Sequence, residues 1–160
     1  MSEDNLEVFN KICLYLNENN ITFKSVQHEA TFTSEESAKA RGEDLSIGGK
    51  AILMKVDSNF KLYVLSAAKK INSKQIKEFH KAKNIRFASK EELLELTGLV
   101  PGSVPPFGQP ILPFELIVDE SIFKNQKIAF NAGSLKNSIV MDVNDYLTAS
   151  KPIRFSFSLD

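Results

Sequence analysis

Apolar positions at the start of the chain, Leu6, Phe9, Ile12, Cys13 and Leu16, recur at the three- and four-residue spacing that gathers side chains on one helix face. "NENN" ends the pattern, which predicts a helix from about Asn5 to Glu18. "ITFKSVQHE" reads as a strand. In "TSEE", Thr33 can cap a second helix while Glu36 reaches back, so that two free N-terminal amides are satisfied, and Gly42 stops that helix. "KAILMKV" and "KLYVLSAA", on either side of "DSNF", form a predicted hairpin of two central strands. "SKQIKEFHKA" is helical, "IRFA" is a short strand, and "SKEELLELTG" repeats the cap-and-stop logic with Ser89, Glu92 and Gly98. Further on, "FELIVD", "KIAFNAG" and "NSIVMD" are β-rich, "VNDYLTA" is a helix begun by Asp142, and "IRFSFSL" closes the chain with strand-like alternation.

Strands outnumber helices and do not alternate strictly with them, which disfavours a doubly wound parallel sheet. The expectation is an α+β fold: a mixed, mostly antiparallel curved sheet with helices packed around it. A chain of 160 residues suits one domain with one core, and 42% hydrophobic with 25% charged residues is ordinary for a folded soluble protein. The apolar runs are too short to span a bilayer, and "MSEDNLEVF" lacks the features of a secretory signal, so the cytoplasm is expected. Cys13 is the single cysteine and excludes an intramolecular disulfide; its helical setting reads as a small core residue before a reactive thiol.

Twenty basic and twenty acidic side chains cancel, so the chain is no general polyanion binder and nucleic-acid contact must be local. Lys69, Lys70, Lys74, Lys77, His80, Lys81 and Lys83 form the one basic concentration, either a solvated helix face or a contact to an RNA backbone. The usual catalytic signatures are absent. His28 and His80 lie in different elements without metal-ligand spacing, and no metal site or cofactor is expected. There is no GxSxG elbow, and "SIGGK" carries only the end of a phosphate-binding loop. Lys50 stands at the mouth of an apolar strand after two glycines: it points either to solvent or inward, where an anion or polarised carbonyl would have to accept its charge. "GLVPGSVPPFGQP" packs three glycines and four prolines into thirteen residues. Such a loop can be rigid and can let a ligand approach main-chain N–H groups, as an oxyanion hole requires.

"TSEESAKARG", "GGKAILMK", "GLVPGSVPPFG" and "FNAGSLKNSIVMDVNDYL", in this order and at these separations, resemble the YbaK/EbsC family, related to the editing domain inserted in bacterial prolyl-tRNA synthetases. The likeness runs from about Leu6 to Pro152. It implies a barrel-like fold and a deacylase acting in trans, which hydrolyses the ester between a small, wrongly attached amino acid and the 3′ end of a tRNA. It also implies roles. Lys50 matches the family's functional lysine, and Gly102 with Pro106 matches its GxxxP loop, whose backbone, Ser103 included, would hold the aminoacyl carbonyl. Lys50 would help position the terminal adenosine phosphate or the ester, and the water would be placed with help from the substrate's ribose hydroxyl. Asn131 and Gly133, with Phe32 and Thr33, are candidates for the amino-acid pocket, although Asn131 also reads as a turn former at a strand end. A neutral protein that binds free tRNA weakly would use an aminoacyl-tRNA synthetase or elongation factor as partner. The alternative is a non-catalytic module of the same fold that binds a tRNA end or an amino acid.

Overall fold

The structure, a computed structural model, describes residues 6–160. Helix α1 (Glu7–Glu18) buries Ile12 and Leu16 completely, as its apolar spacing predicts; the expected start at Asn5 lies outside the described residues. Strand β1 (Phe23–Gln27) leads to α2 (Ser34–Arg41). Both halves of the capping box form: the Glu36 N–H donates to Thr33 Oγ1 and the Thr33 N–H to Glu36 Oε1, each at 3.1 Å. Such a cap contributes ~1 kcal/mol, and Gly42, at φ +71°, ends the helix in the left-handed region.

A single 3₁₀ turn, Leu45–Ile47, then enters the hairpin of β2 (Gly49–Val56) and β3 (Asn59–Ser66). The connection is shorter than "DSNF" suggests. Asp57 takes a positive φ of +53° and its Oδ1 accepts the N–H groups of Lys83 and Asn84, both at 2.9 Å, so Asn59 and Phe60 pair with Val56 and Lys55. The chain continues through β4 (Lys70–Ile71), α3 (Ser73–His80), β5 (Ile85–Phe87) and α4 (Lys90–Thr97), the last with the Ser89–Glu92 capping box and Gly98 as its stop. After the Gly/Pro loop come β6 (Glu115–Val118), the one-turn α5 (Glu120–Phe123), β7 (Lys127–Asn131), β8 (Asn137–Asp142), α6 (Val143–Ser150), β9 (Ile153–Arg154) and β10 (Ser158–Leu159).

One sheet has the order β5-β2-β3-β6-β9, a second β1-β8-β7, and β10 pairs with β4. Pairing is antiparallel except for β3 with β6 and β6 with β9, and a parallel bridge from Gly48 to Ala129 ties the two larger sheets together. The mixed, mostly antiparallel expectation holds, while the barrel stays open, with β5 and β9 as edges of the larger sheet. Strand β3 explains the continuous apolar run "LYVL". Leu62 and Val64 face the main core between the sheets, and Tyr63 and Leu65 face a second core with Met54, Ile76 and Phe157. A strand buried on both faces has no polar side to alternate.

The closing segment differs from the single strand that "IRFSFSL" suggests. Asp119, 1% exposed, accepts the Phe157 N–H at 2.6 Å, the Ser158 hydroxyl at 2.8 Å and the Ser121 N–H at 2.9 Å. The chain therefore leaves β6 after two residues, drives Phe157 into the second core and finishes against β4.

The Gly/Pro loop is threaded through the interior. Pro105, Pro106 and Phe107 are buried, the Phe107 ring meets Phe130 and Tyr146 edge to face, and the Tyr146 hydroxyl donates to the Pro106 carbonyl at 2.6 Å. Proline has no N–H to leave unsatisfied, so two successive prolines let an irregular segment cross a core at a smaller cost.

Candidate active site

A cavity of about 230 Å³ opens where the two larger sheets meet. Its walls come from the segment Thr31 to Ser34, from Ser37 and Arg41 of α2, from Gly48 to Ile52 at the start of β2, and from Gly102, Val104 and Asn131. A Cβ at Gly49 would lie 2.7 Å from Ile128 Cδ1, so a bulkier residue there would have to displace the buried Ile128 side chain.

Lys50, the first side chain of β2 beyond the glycines, is half-buried in this wall. Its ammonium makes no hydrogen bond or ion pair with another group among the described residues. Burial lowers its pKa, Glu35 opposes that shift, and Lys70 adds to it. Gly102, in the wall of the same cavity, takes φ +89°, a conformation that residues other than glycine rarely adopt, and its N–H donates to no acceptor among the described residues. A free cation and a free amide thus share one small cavity. Phe32, 75% exposed, stands at its rim, and Thr33 lines it with its hydroxyl engaged in the α2 cap.

Asn131, at the end of β7, is not a turn former here: Nδ2 donates to the Gly102 carbonyl at 2.8 Å, while Oδ1 accepts from Arg41 Nη2 and from the Ser138 hydroxyl, both at 3.1 Å. Ser103, Pro106 and Gly133 lie behind the cavity wall, where they shape the loop. The Ser103 hydroxyl donates to the Val100 carbonyl at 2.8 Å, its own carbonyl accepts the Gly133 N–H at 2.8 Å, and Pro106 is held by Tyr146. Gly133 has φ +79°, and a Cβ there would sit 2.8 Å from Val8, so a side chain would push α1 off the core.

Arg41 was hidden in the sequence, because a basic residue in the last turn of a helix is ordinary dipole complementation. In the structure its guanidinium turns into the cavity wall, donating from Nε to Ser138 Oγ at 2.9 Å and from Nη2 to Asn131 Oδ1. Burial pulls its pKa down to about 10, and Glu43 opposes the shift. His28 Nε2 lies 2.8 Å from the same Ser138 hydroxyl. A second cavity of about 160 Å³, bounded by Phe87, Leu93 and Pro101, shares Ala51, Ile52, Gly102 and Val104 with the first, so the cleft continues past Gly102.

The aminoacyl-tRNA editing domain family matches residues 28–149. The multifunctional Ser/Thr-tRNA deacylase ProXp-y of Escherichia coli K12 is 33% identical over 153 residues, which cover 92% of this chain and 90% of that protein. The proline–tRNA ligase of Shouchella clausii is 33% identical over 102 residues, 62% of this chain and 17% of the ligase. Among solved structures, the hypothetical protein APE2540 superposes with a TM-score of 0.84 at 22% identity, covering 93% of this chain and 99% of that one. A candidate trans-editing enzyme for prolyl tRNA synthetase superposes with a TM-score of 0.83 at 20% identity, covering 96% and 98%. Those two structures establish the fold alone. The chain belongs to the aminoacyl-tRNA editing domain family, a class of hydrolases that cleave the ester between an amino acid and tRNA.

Proposed function

We propose that this chain, as one editing domain over residues 1–160, removes a small amino acid from a mischarged tRNA in trans, with the cavity between Lys50 and Gly102 as its active site. The observation that carries this reading is the pairing of an unpartnered cation with an unengaged amide in a space of about 230 Å³. In the reaction a water oxygen adds to the ester carbonyl, the bond to the ribose 3′ oxygen breaks, and that oxygen takes up the proton the water gives up. The Gly102 N–H faces the carbonyl oxygen as it gains charge, a donor whose removal typically costs ~3 kcal/mol of transition-state stabilisation. Lys50 holds the terminal adenosine phosphate or the ester, and the ribose hydroxyl of the substrate helps place the water. Phe32 offers an exposed ring on which the terminal base stacks, and such stacking contributes ~1–3 kcal/mol per base. Asn131 with Ser103, Pro106 and Gly133 keeps the loop in place.

The formal charge of zero accords with weak binding of free tRNA and delivery by a synthetase or elongation factor in the cytoplasm. No helix among the described residues is long and apolar enough to cross a membrane.

The test is ester hydrolysis on tRNAs charged with alanine, serine, cysteine, threonine and proline, comparing the wild type with Lys50→Ala. One or two small amino acids should be released, with a loss on the order of 100-fold in the variant. Full activity in Lys50→Ala would remove Lys50 from the mechanism, and binding without turnover on every substrate would make the chain a binding module.

A further inference from the structure

We infer that His28 positions the Gly102 amide through a chain of hydrogen bonds running from His28 to Ser138, Asn131 and Gly102, and that the direction of this chain, hence the hold on the amide, changes when His28 gains or loses a proton. The inference rests on the deacylase reading for its effect on rate, and on the geometry alone for the coupling of the two residues.

His28 directly follows β1 and is half-buried, with its backbone N–H donating to the Lys136 carbonyl at 2.9 Å. Its ring is engaged at both nitrogens. Nδ1 lies 2.7 Å from the Glu29 carbonyl oxygen, which can only accept, so Nδ1 carries a proton in either charge state. Nε2 is therefore the nitrogen that titrates, bare in the neutral ring and a donor in the cation. It lies 2.8 Å from the hydroxyl of Ser138, a residue with no exposed surface.

That hydroxyl has one proton, two lone pairs and three neighbours. Arg41 Nε donates to it at 2.9 Å in both states, which occupies one lone pair. His28 Nε2 at 2.8 Å and Asn131 Oδ1 at 3.1 Å are the other two. When His28 is a cation, Nε2 donates to Ser138 and the Ser138 proton goes to Asn131. Every donor then meets an acceptor, and Oδ1 is gripped from two sides, by Ser138 and by Arg41 Nη2 at 3.1 Å. Arg41 spends two of the five N–H groups of a guanidinium here, one on each partner.

When His28 is neutral, bare Nε2 needs the same proton and is the nearer acceptor. The Ser138 oxygen then turns a lone pair toward Oδ1, and an acceptor faces an acceptor in a buried place, which is unfavourable. Asn131 passes the change on, because its Nδ2 donates to the Gly102 carbonyl at 2.8 Å. The residue whose N–H faces the cavity is thus held through its own carbonyl, at the far end of a chain that begins with a titrating ring. Histidine changes charge between about pH 5 and 8. The charged side chains adjoining this one are Arg41 on α2, Glu29 beside it in the chain and Lys136 in the turn before β8.

The experiment measures kcat and KM from about pH 5.5 to pH 8 for the wild type, His28→Gln, Ser138→Ala and the double variant, on whichever ester of the tRNA panel the wild type hydrolyses fastest. A glutamine amide reaches about as far as Nε2 and donates at every pH, so His28→Gln keeps the cationic direction of the chain without titrating. The ratio of wild-type kcat to that of His28→Gln should fall by about 2- to 5-fold across this range, with the KM ratio unchanged, because the amide acts on the carbonyl as it gains charge. The ratio of Ser138→Ala to the double variant should stay flat. In parallel, nuclear magnetic resonance follows the His28 ring and the Gly102 amide: the amide shift should move with the midpoint of the ring in the wild type and lose that movement in Ser138→Ala. A Gly102 amide that stays still while His28 titrates, or a kcat ratio that is flat with His28 and Ser138 both present, overturns the inference while the deacylase reading stands. A Gly102 amide that follows His28 only through Ser138, in a protein that turns over no ester, upholds the coupling and overturns the deacylase reading instead.

Discussion

Asp119 and Arg41 are both charged groups drawn out of water, and they stand at opposite stages of completion. Burial alone would raise the Asp119 pKa, but hydrogen bonds from Ser121, Phe157 and Ser158 overcome it and hold the carboxyl below its ordinary value. The chain itself supplies every one of those donors, and the result is a clasp that folds the C-terminal segment onto the second core. For Arg41 burial prevails: two neutral acceptors are too few, the pKa falls, and three N–H groups stay open toward a cavity. A buried charge saturated by its own chain organises structure, whereas one with donors to spare is poised for something from outside.

The largest effect that would test this contrast is on stability, at the clasp. Asp119→Asn puts an amide N–H where a carboxylate accepts, leaving at least one buried donor without an acceptor, and should destabilise the protein by about 3 kcal/mol in urea denaturation. The pH dependence has a definite sign. Because the folded-state pKa lies below the ordinary 3.8, the Asp119 contribution is fully present above that pH and is lost as pH falls through the folded value. The stability gap between wild type and Asp119→Asn should therefore be constant from about pH 7 to pH 5 and close at more acidic pH. A gap that stays unchanged to pH 2 would mean that the carboxylate charge is not what holds the segment.

Tyr146→Phe comes next. It removes the hydroxyl that donates to the Pro106 carbonyl, leaving a buried acceptor unpaired beside the Gly/Pro loop, and should cost about 1–2 kcal/mol. Since Tyr146 does not line the cavity, kcat/KM on seryl-tRNA should fall less than about tenfold. A larger fall at unchanged stability would show that the loop's outer anchor sets the position of the Gly102 amide.

The contrast also explains what could be read in the letters. Thr33 with Glu36 and Ser89 with Glu92 are legible because a capping box is a contract between residues three apart. The two helices and the β2–β3 hairpin follow from such local rules. The parallel pairing of β3 with β6 depends on partners far apart in the chain, and the turns Leu45–Ile47 and Glu120–Phe123 are too short to show a period. "IRFSFSL" alternates like a strand, and only Asp119, more than thirty residues earlier, bends it. At the site, Lys50, Gly102, Phe32, Thr33 and Asn131 were marked by unusual positions or by family likeness, and the structure brings all five to one cavity. Arg41 and Ser138 look ordinary in sequence, one a helix-end cation and the other a serine in a β-rich run. Their meaning is a count of donors and acceptors that exists only after folding.

The smallest expected effect on stability is the most informative. Arg41→Met removes a guanidinium whose burial is unfavourable, as its lowered pKa shows, and replaces it with an unbranched apolar chain. The Ser138 hydroxyl can still donate to Asn131 Oδ1, so that acceptor is not abandoned. Lost hydrogen bonds and relieved desolvation oppose each other, and the net change should lie within about 1 kcal/mol in either direction. A chain that tolerates this loss while Asp119→Asn unfolds it readily would be keeping Arg41 for its ligand. If Arg41→Met instead cost as much as Asp119→Asn, the guanidinium would be a second clasp holding Asn131 and Ser138 together, and its open N–H groups would carry no meaning for the substrate.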